Sequence, residues 1–123
     1  MTDAPLPTDL PDDLPVPEDD GAAHHLPGLA LPHLGLPATD GSIVDLAAES
    51  SGHRVVVFAY PRTGRPGEAP LVPEWDAIPG ARGCTPEACG FRDLAAEFAA
   101  RGVSVYGLST QDTDYQREAT ERL

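Results

Sequence analysis

The sequence predicts an α/β fold, and three observations carry the prediction. Two short apolar runs, RVVVFAY at 54–60 and VSVYGLS at 103–109, lack polar alternation and read as strands buried on both faces. Between them Ala88, Phe91, Leu94, Ala95, Phe98 and Ala99 recur at helical spacing, which predicts one amphipathic helix. A strand–helix–strand order implies a parallel pair joined by a right-handed crossover.

The elements follow in order. Residues 1–27, MTDAPLPTDLPDDLPVPEDDGAAHHLP, hold six prolines and seven acids. Proline lacks the N–H that a helix or a central strand needs, so this stretch reads as an acidic, extended or disordered leader. Spaced leucines (Leu6, Leu10, Leu14, Leu26) leave open a segment that wraps onto the domain. The domain is expected over residues 28–123. LGLPATDGSIVDLA, with Asp40-Gly41 between apolar runs, predicts a hairpin. Asp45–Glu49 then suits one helical turn, broken by Ser51-Gly52. After the first core strand, residues 61–83 form a long Pro- and Gly-rich loop. Loops of that length are uncommon in compact domains and often functional; Trp75 and Ile78 are its expected anchors. Pro86 and Glu87 suit a helix start near Cys84, and Gly102 a helix end. Gln111-Asp112-Thr113-Asp114 predicts the cap of a last helix running to about Leu123.

Charge narrows the function classes. The 123-residue chain carries 20 Asp+Glu against 8 basic residues, all Arg, for a formal net charge of −12. Such a chain repels phosphate backbones, which argues against a nucleic-acid partner. No apolar run reaches the roughly 18 residues of a membrane span, and the N-terminus lacks the pattern of a secretory signal. A cytoplasmic setting is expected, where a cysteine pair more often does chemistry than stapling.

Cys84 and Cys89 are the two cysteines of the chain. Cys84 is expected at a helix N-terminus, where unpaired N–H groups favour a thiolate, and Arg82 adds a permanent positive charge. Cys89 lies more than a turn inside the helix and receives less help, so the two thiols are electrostatically unequal. Residues five apart in a regular helix stand about 8.5 Å apart at Cα. A disulfide needs less than about 7 Å, so the pair can bond only if the first turn unwinds. That suits a nucleophile oxidised to sulfenic acid and trapped by a second thiol. Three plainer readings stay open: small core residues, a static disulfide, or half a metal site with His24, His25, His33 or His53. The C-x-x-C motif of disulfide reductases is absent.

GCTPEACGFRD, following a strand that ends in YP, resembles the peroxiredoxins, with peroxiredoxin Q (bacterioferritin comigratory protein) as the most similar type. LPATDGSIVDLA and FRDLAAEFAARGVSVYGLSTQD extend the resemblance over roughly residues 28–123. It implies a thioredoxin-like fold and thiol-dependent reduction of hydrogen peroxide or organic hydroperoxides. Cys84 would be the peroxidatic cysteine and Cys89 the resolving one. A thioredoxin-like dithiol would recycle the pair; no metal, haem or flavin is implied, and the chain is expected as a monomer or weak dimer. Two departures qualify the match. The family's Pro-x-x-x-Thr-x-x-Cys has Ala81 where Thr is usual, with Thr63 after Pro61 a substitute hydroxyl and Thr85 a matching neighbour that also suits helix capping. The family also continues through further strands and an Arg, so the fold is expected to be incomplete at the C-terminus, with Arg92 or Arg82 as partial stand-ins. The alternative function is a non-catalytic thioredoxin-fold fragment or redox-responsive interaction domain.

Overall fold

The computed structural model describes residues 12–70, 72–81 and 83–123. Arg82, Leu6 and Leu10 lie outside the described residues. From residue 12 to 35 the chain makes turns and extended segments, with Leu26, Leu29, Leu31 and Leu34 exposed.

The hairpin forms as expected. β1 (Leu36–Pro37) pairs antiparallel with β2 (Ile43–Val44), Leu36 opposite Val44 and Pro37 opposite Ile43. Asp40 Oδ1 accepts from the Ser42 N–H, and the Ala38 N–H donates to the Ser42 carbonyl, which closes the turn. α1 (Leu46–Gly52) follows, capped by Asp45, whose carboxylate accepts from the Ala47 and Ala48 N–H groups. It runs through Ser51 and Gly52 rather than ending before them. The Ser50 and Ser51 hydroxyls donate to the Ala47 and Ala48 carbonyls three residues earlier, so both polar groups are paired within the helix.

The α/β class is borne out. β3 (Val55–Ala59) lies parallel to β4 (Ser104–Leu108), in register from Val55–Ser104 to Ala59–Leu108. The expectation that both strands are buried on both faces is corrected: Val57 and Leu108 are exposed. They line an open cleft on the sheet that no described residue fills.

The single predicted helix is two. α2 (Cys84–Asp93) and α3 (Ala95–Ala100) meet at Leu94, whose φ −95° and ψ 1° leave the helical region. Leu94 is 45% exposed, and Ala95 and Ala99 are exposed too, so the expected apolar stripe narrows to Ala88, Phe91 and Phe98. Seven residues of straight helix rise about 10.5 Å. The Phe91 and Phe98 rings stand 6.0 Å apart, and the break at Leu94 lets both reach the same aromatic stack. Phe58 of β3 stacks on Phe91 at 4.4 Å, with ring planes 8° apart, and on Tyr60 at 5.8 Å. Directly across the ladder from Phe58 stands Gly107, where an added Cβ would lie 2.8 Å from the ring. α3 closes with Gly102 at φ +67°: its N–H bonds the Ala99 carbonyl and the Val103 N–H bonds the Phe98 carbonyl, a Schellman ending.

Among its described residues the long loop makes several tight turns and one 3₁₀ turn at Trp75–Ala77. Trp75 is half-buried, but the expected anchor Ile78 is exposed. The loop's firm attachments lie earlier, on α4 (Thr113–Arg122), which Asp112 caps through the Tyr115 N–H.

Candidate functional site

The carboxyl ends of two parallel strands lie side by side, so the segments leaving them meet. Here Pro61–Thr63 leaves β3 beside Ser109–Gln111 leaving β4. The Thr63 N–H donates to Gln111 Oε1 at 3.0 Å, and Gln111 Nε2 donates to the Thr63 carbonyl at 3.4 Å. One side-chain amide thus satisfies both backbone groups of Thr63, much as a neighbouring strand would. The Ser109 hydroxyl donates to the Pro61 carbonyl at 3.2 Å, and the Gln116 amide ties Gln111 to α4 at 2.7 Å.

Two residues on, Arg65 locks the loop to α4. Its guanidinium stacks 4.1 Å from the Tyr115 ring centre and pairs with Glu68 at 3.1 Å. Its Nε stands 3.2 Å from Glu118 Oε2, a charge contact whose angle does not make a hydrogen bond. Arg122 donates to Glu118 at 2.7 Å and to the Gly64 carbonyl at 2.7 Å. Arg122 first and Arg65 second hold the Glu118 carboxyl below the usual carboxylate range, against the opposing effect of burial.

This framework holds Thr63 at 2% exposure with its Oγ1 unpartnered. A buried hydroxyl without a protein partner is uncommon. Thr63 lines the cleft, of about 680 Å³, together with Tyr60, Ala88, Arg92, Gln111 and apolar residues of the hairpin, sheet and α4.

Both cysteines are free and sit on α2. Cys84 is half-buried at its first position, and Cys89 is 7% exposed, among the most buried apolar residues described. Neither thiol lines the cleft, but their neighbours do. Tyr60 lies close enough to Cys84 to feel its charge: burial first, then Cys84, raises the phenol's pKa, and Ser109 opposes them. The phenol therefore stays a hydrogen-bond donor. Arg92 stands one turn beyond Cys89, with Asp93 on its Nε and Nη2 edge and the Leu123 carbonyl on Nη1.

The suggested capping role of Thr85 is corrected. α2 has no side-chain cap; its N-cap is Gly83, and Thr85 is 6% exposed on the same face as Cys89. Ala81 leaves no hydroxyl at the motif position, and the Thr63 hydroxyl is buried. Among the described residues, no cluster of three His, Cys, Asp or Glu is placed to hold a metal ion, and no helix is long and apolar enough to cross a membrane. Gln111 and Tyr60 were missed as site residues. The signal for both was their place just beyond, or at the end of, a predicted parallel strand.

The Redoxin family matches residues 26–123. Peroxiredoxin Bcp of Escherichia coli (strain K12) is 37% identical over 79 residues, 64% of this chain and 40% of that protein. Peroxiredoxin bcp1 of Schizosaccharomyces pombe is 30% identical over 90 residues, 73% of this chain and 38% of that protein. The match thus spans less than half the length of these curated relatives. No solved structure matches significantly. The parallel pair with α2 between its strands fits the thioredoxin-like architecture of the family. The chain therefore belongs to the Redoxin family, among the peroxiredoxins of the bacterioferritin comigratory (Bcp) type.

Proposed function

We propose that the chain acts as a thiol-dependent peroxidase on hydrogen peroxide or organic hydroperoxides, with residues 28–123 as its working domain and residues 1–27 as a leader. The observation that carries the reading is a pair of free, unequally exposed thiols on one helix, Cys84 at its start and Cys89 buried in its middle.

The Cys84 thiolate attacks one peroxide oxygen. The O–O bond breaks, the sulfur becomes a sulfenic acid, and the departing hydroxide or alkoxide takes up a proton. Thr63 Oγ1 is the donor that meets the peroxide, and Thr85 and Arg82 are supporting residues. The first turn of α2 then unwinds, which the missing side-chain cap at Gly83 favours. The Cys89 sulfur attacks the Cys84 sulfur, an S–S bond forms, and the sulfenic oxygen leaves as water. A thioredoxin-like dithiol in the cytoplasm returns both thiols to the reduced form.

A second reading is a redox-responsive domain without turnover. Ala81 at the motif position and a cleft that neither thiol lines favour it. Peroxide consumption in the presence of a dithiol reductant separates the two. The peroxidase consumes many equivalents per chain, Cys84→Ser abolishes consumption, and mass spectrometry after one equivalent finds a Cys84–Cys89 link. A single equivalent consumed per chain favours the second reading. Full turnover by Cys84→Ser overturns the first.

A further inference from the structure

Arg92 is the one cation of α2 within the described residues, and nothing in the peroxide step uses it. It stands three residues after Cys89, a spacing that puts two side chains on one helical face. Its own pairing with Asp93 is its main stabilisation, and the Cys89 sulfur adds a further favourable electrostatic contribution. The guanidinium is also fixed in place. Asp93 Oδ1 accepts from Nε at 3.0 Å and from Nη2 at 2.9 Å, and Nη1 donates to the Leu123 carbonyl at the end of α4.

α2 is anchored unevenly. Its second half carries Phe91, stacked on Phe58 at 4.4 Å, and Arg92, tied to α4. Its first turn has no side-chain cap. When the helix opens, the segment that moves is the Cys84 end, while Cys89 and Arg92 stay together on the anchored half.

We infer that Arg92 is the positioning residue of the resolving step, its guanidinium stabilising the negative charge on the Cys89 sulfur as that sulfur attacks Cys84. The inference takes its setting from the peroxidase reading, but the ring closure it describes can be driven without peroxide. One equivalent of 5,5′-dithiobis(2-nitrobenzoate) supplies the oxidant. The Cys84 thiolate breaks the reagent's S–S bond, keeps one half as a mixed disulfide and releases one thionitrobenzoate. The Cys89 thiolate, its proton lost to buffer, then attacks the Cys84 sulfur, forms the Cys84–Cys89 bond and releases the second thionitrobenzoate.

Absorbance at 412 nm resolves the two releases by stopped flow, and Cys89→Ser identifies the second by losing it. Arg92→Met slows the second release by roughly two- to fivefold, the worth of an exposed charge pair. Arg92→Lys, which keeps the charge but not the forked contact with Asp93, restores most of the rate. An unchanged second release in Arg92→Met overturns the inference. So does a slowed release that Lys fails to rescue, because that pattern marks a packing role for the Arg92 tie to α4. If the two releases behave as expected but the wild-type chain turns over no peroxide, the peroxidase reading fails and the role of Arg92 stands.

Discussion

The side-chain amide of Gln111 holds both backbone groups of Thr63, accepting from its N–H at 3.0 Å and donating to its carbonyl at 3.4 Å. It is this grip that buries a threonine hydroxyl with no partner of its own. Gln111→Ala leaves two backbone groups unpaired in a half-buried place. We expect a loss of roughly 1–3 kcal/mol in urea unfolding. Thr63→Val keeps the shape and removes the orphan hydroxyl. Its stability stays within error of wild type or rises, while peroxide consumption falls. A Thr63→Val chain that is strongly destabilised means the hydroxyl has a partner in solution after all.

Disulfide formation within α2 requires its first turn to open, and Gly90 lies on the anchored half behind that turn. An added Cβ there meets nothing within 4 Å, and Ala exceeds Gly in helix preference by about 1 kcal/mol. Gly90→Ala is expected to raise the melting temperature by a few degrees and to leave the rate of Cys84–Cys89 bond formation within about twofold of wild type. Quenched-flow alkylation followed by mass spectrometry reads the rate. A bond slowed about fivefold in Gly90→Ala would show that the opening reaches past Cys89 into the half held by Phe91.

Gly107 faces the ring of Phe58 across the parallel ladder, with room for no side chain. Gly107→Val pushes Phe58 off its stack with Phe91 and loosens α2 from the sheet. Overpacking of this kind costs about 1–3 kcal/mol. Thermal melts should show the loss, and near-UV circular dichroism should weaken with the aromatic stack. An unaltered near-UV spectrum tells against the stack as the link between β3 and α2.

Glu118 gives the fold an acid-sensitive clasp. Its carboxyl is held below its ordinary value by Arg122 and then Arg65, so the folded pKa is lower than the unfolded one. Stability from this pair is fully present above the unfolded carboxylate pKa and is lost as pH falls through the folded value. The acid limb of a stability–pH curve should therefore flatten in Glu118→Gln, which is less stable than wild type at neutral pH and closer to it in acid. Parallel curves for the two proteins would show that the clasp contributes nothing.

Much of this was legible in local patterns. The Asp40-Gly41 turn, the Asp112 cap and the Gly102 ending depend on contacts within a few residues, and each stands where its signature placed it. The two core strands also stand where their apolar runs placed them, although they pair with each other from far apart in the chain. The cysteine spacing and GCTPEACGFRD likewise led to the family. Expectations failed where distant partners decide the outcome. The helix break at Leu94 follows from Phe91 and Phe98 sharing one stack, and the exposure of Val57 follows from a sheet face left uncovered. Ile78 carries an apolar side chain but faces solvent, because the loop is held instead by Thr63, Gly64 and Arg65 against Gln111, Glu118, Tyr115 and Arg122. Those contacts join residues about fifty positions apart, and no short-range rule encodes them. The sequence by itself determined the two core strands, the order of strand, helix and strand, and that the thiols stand on the helical segment between them. Only the tertiary structure decided that the Thr63 hydroxyl lies buried at the cleft, because that depends on two strand ends meeting in space.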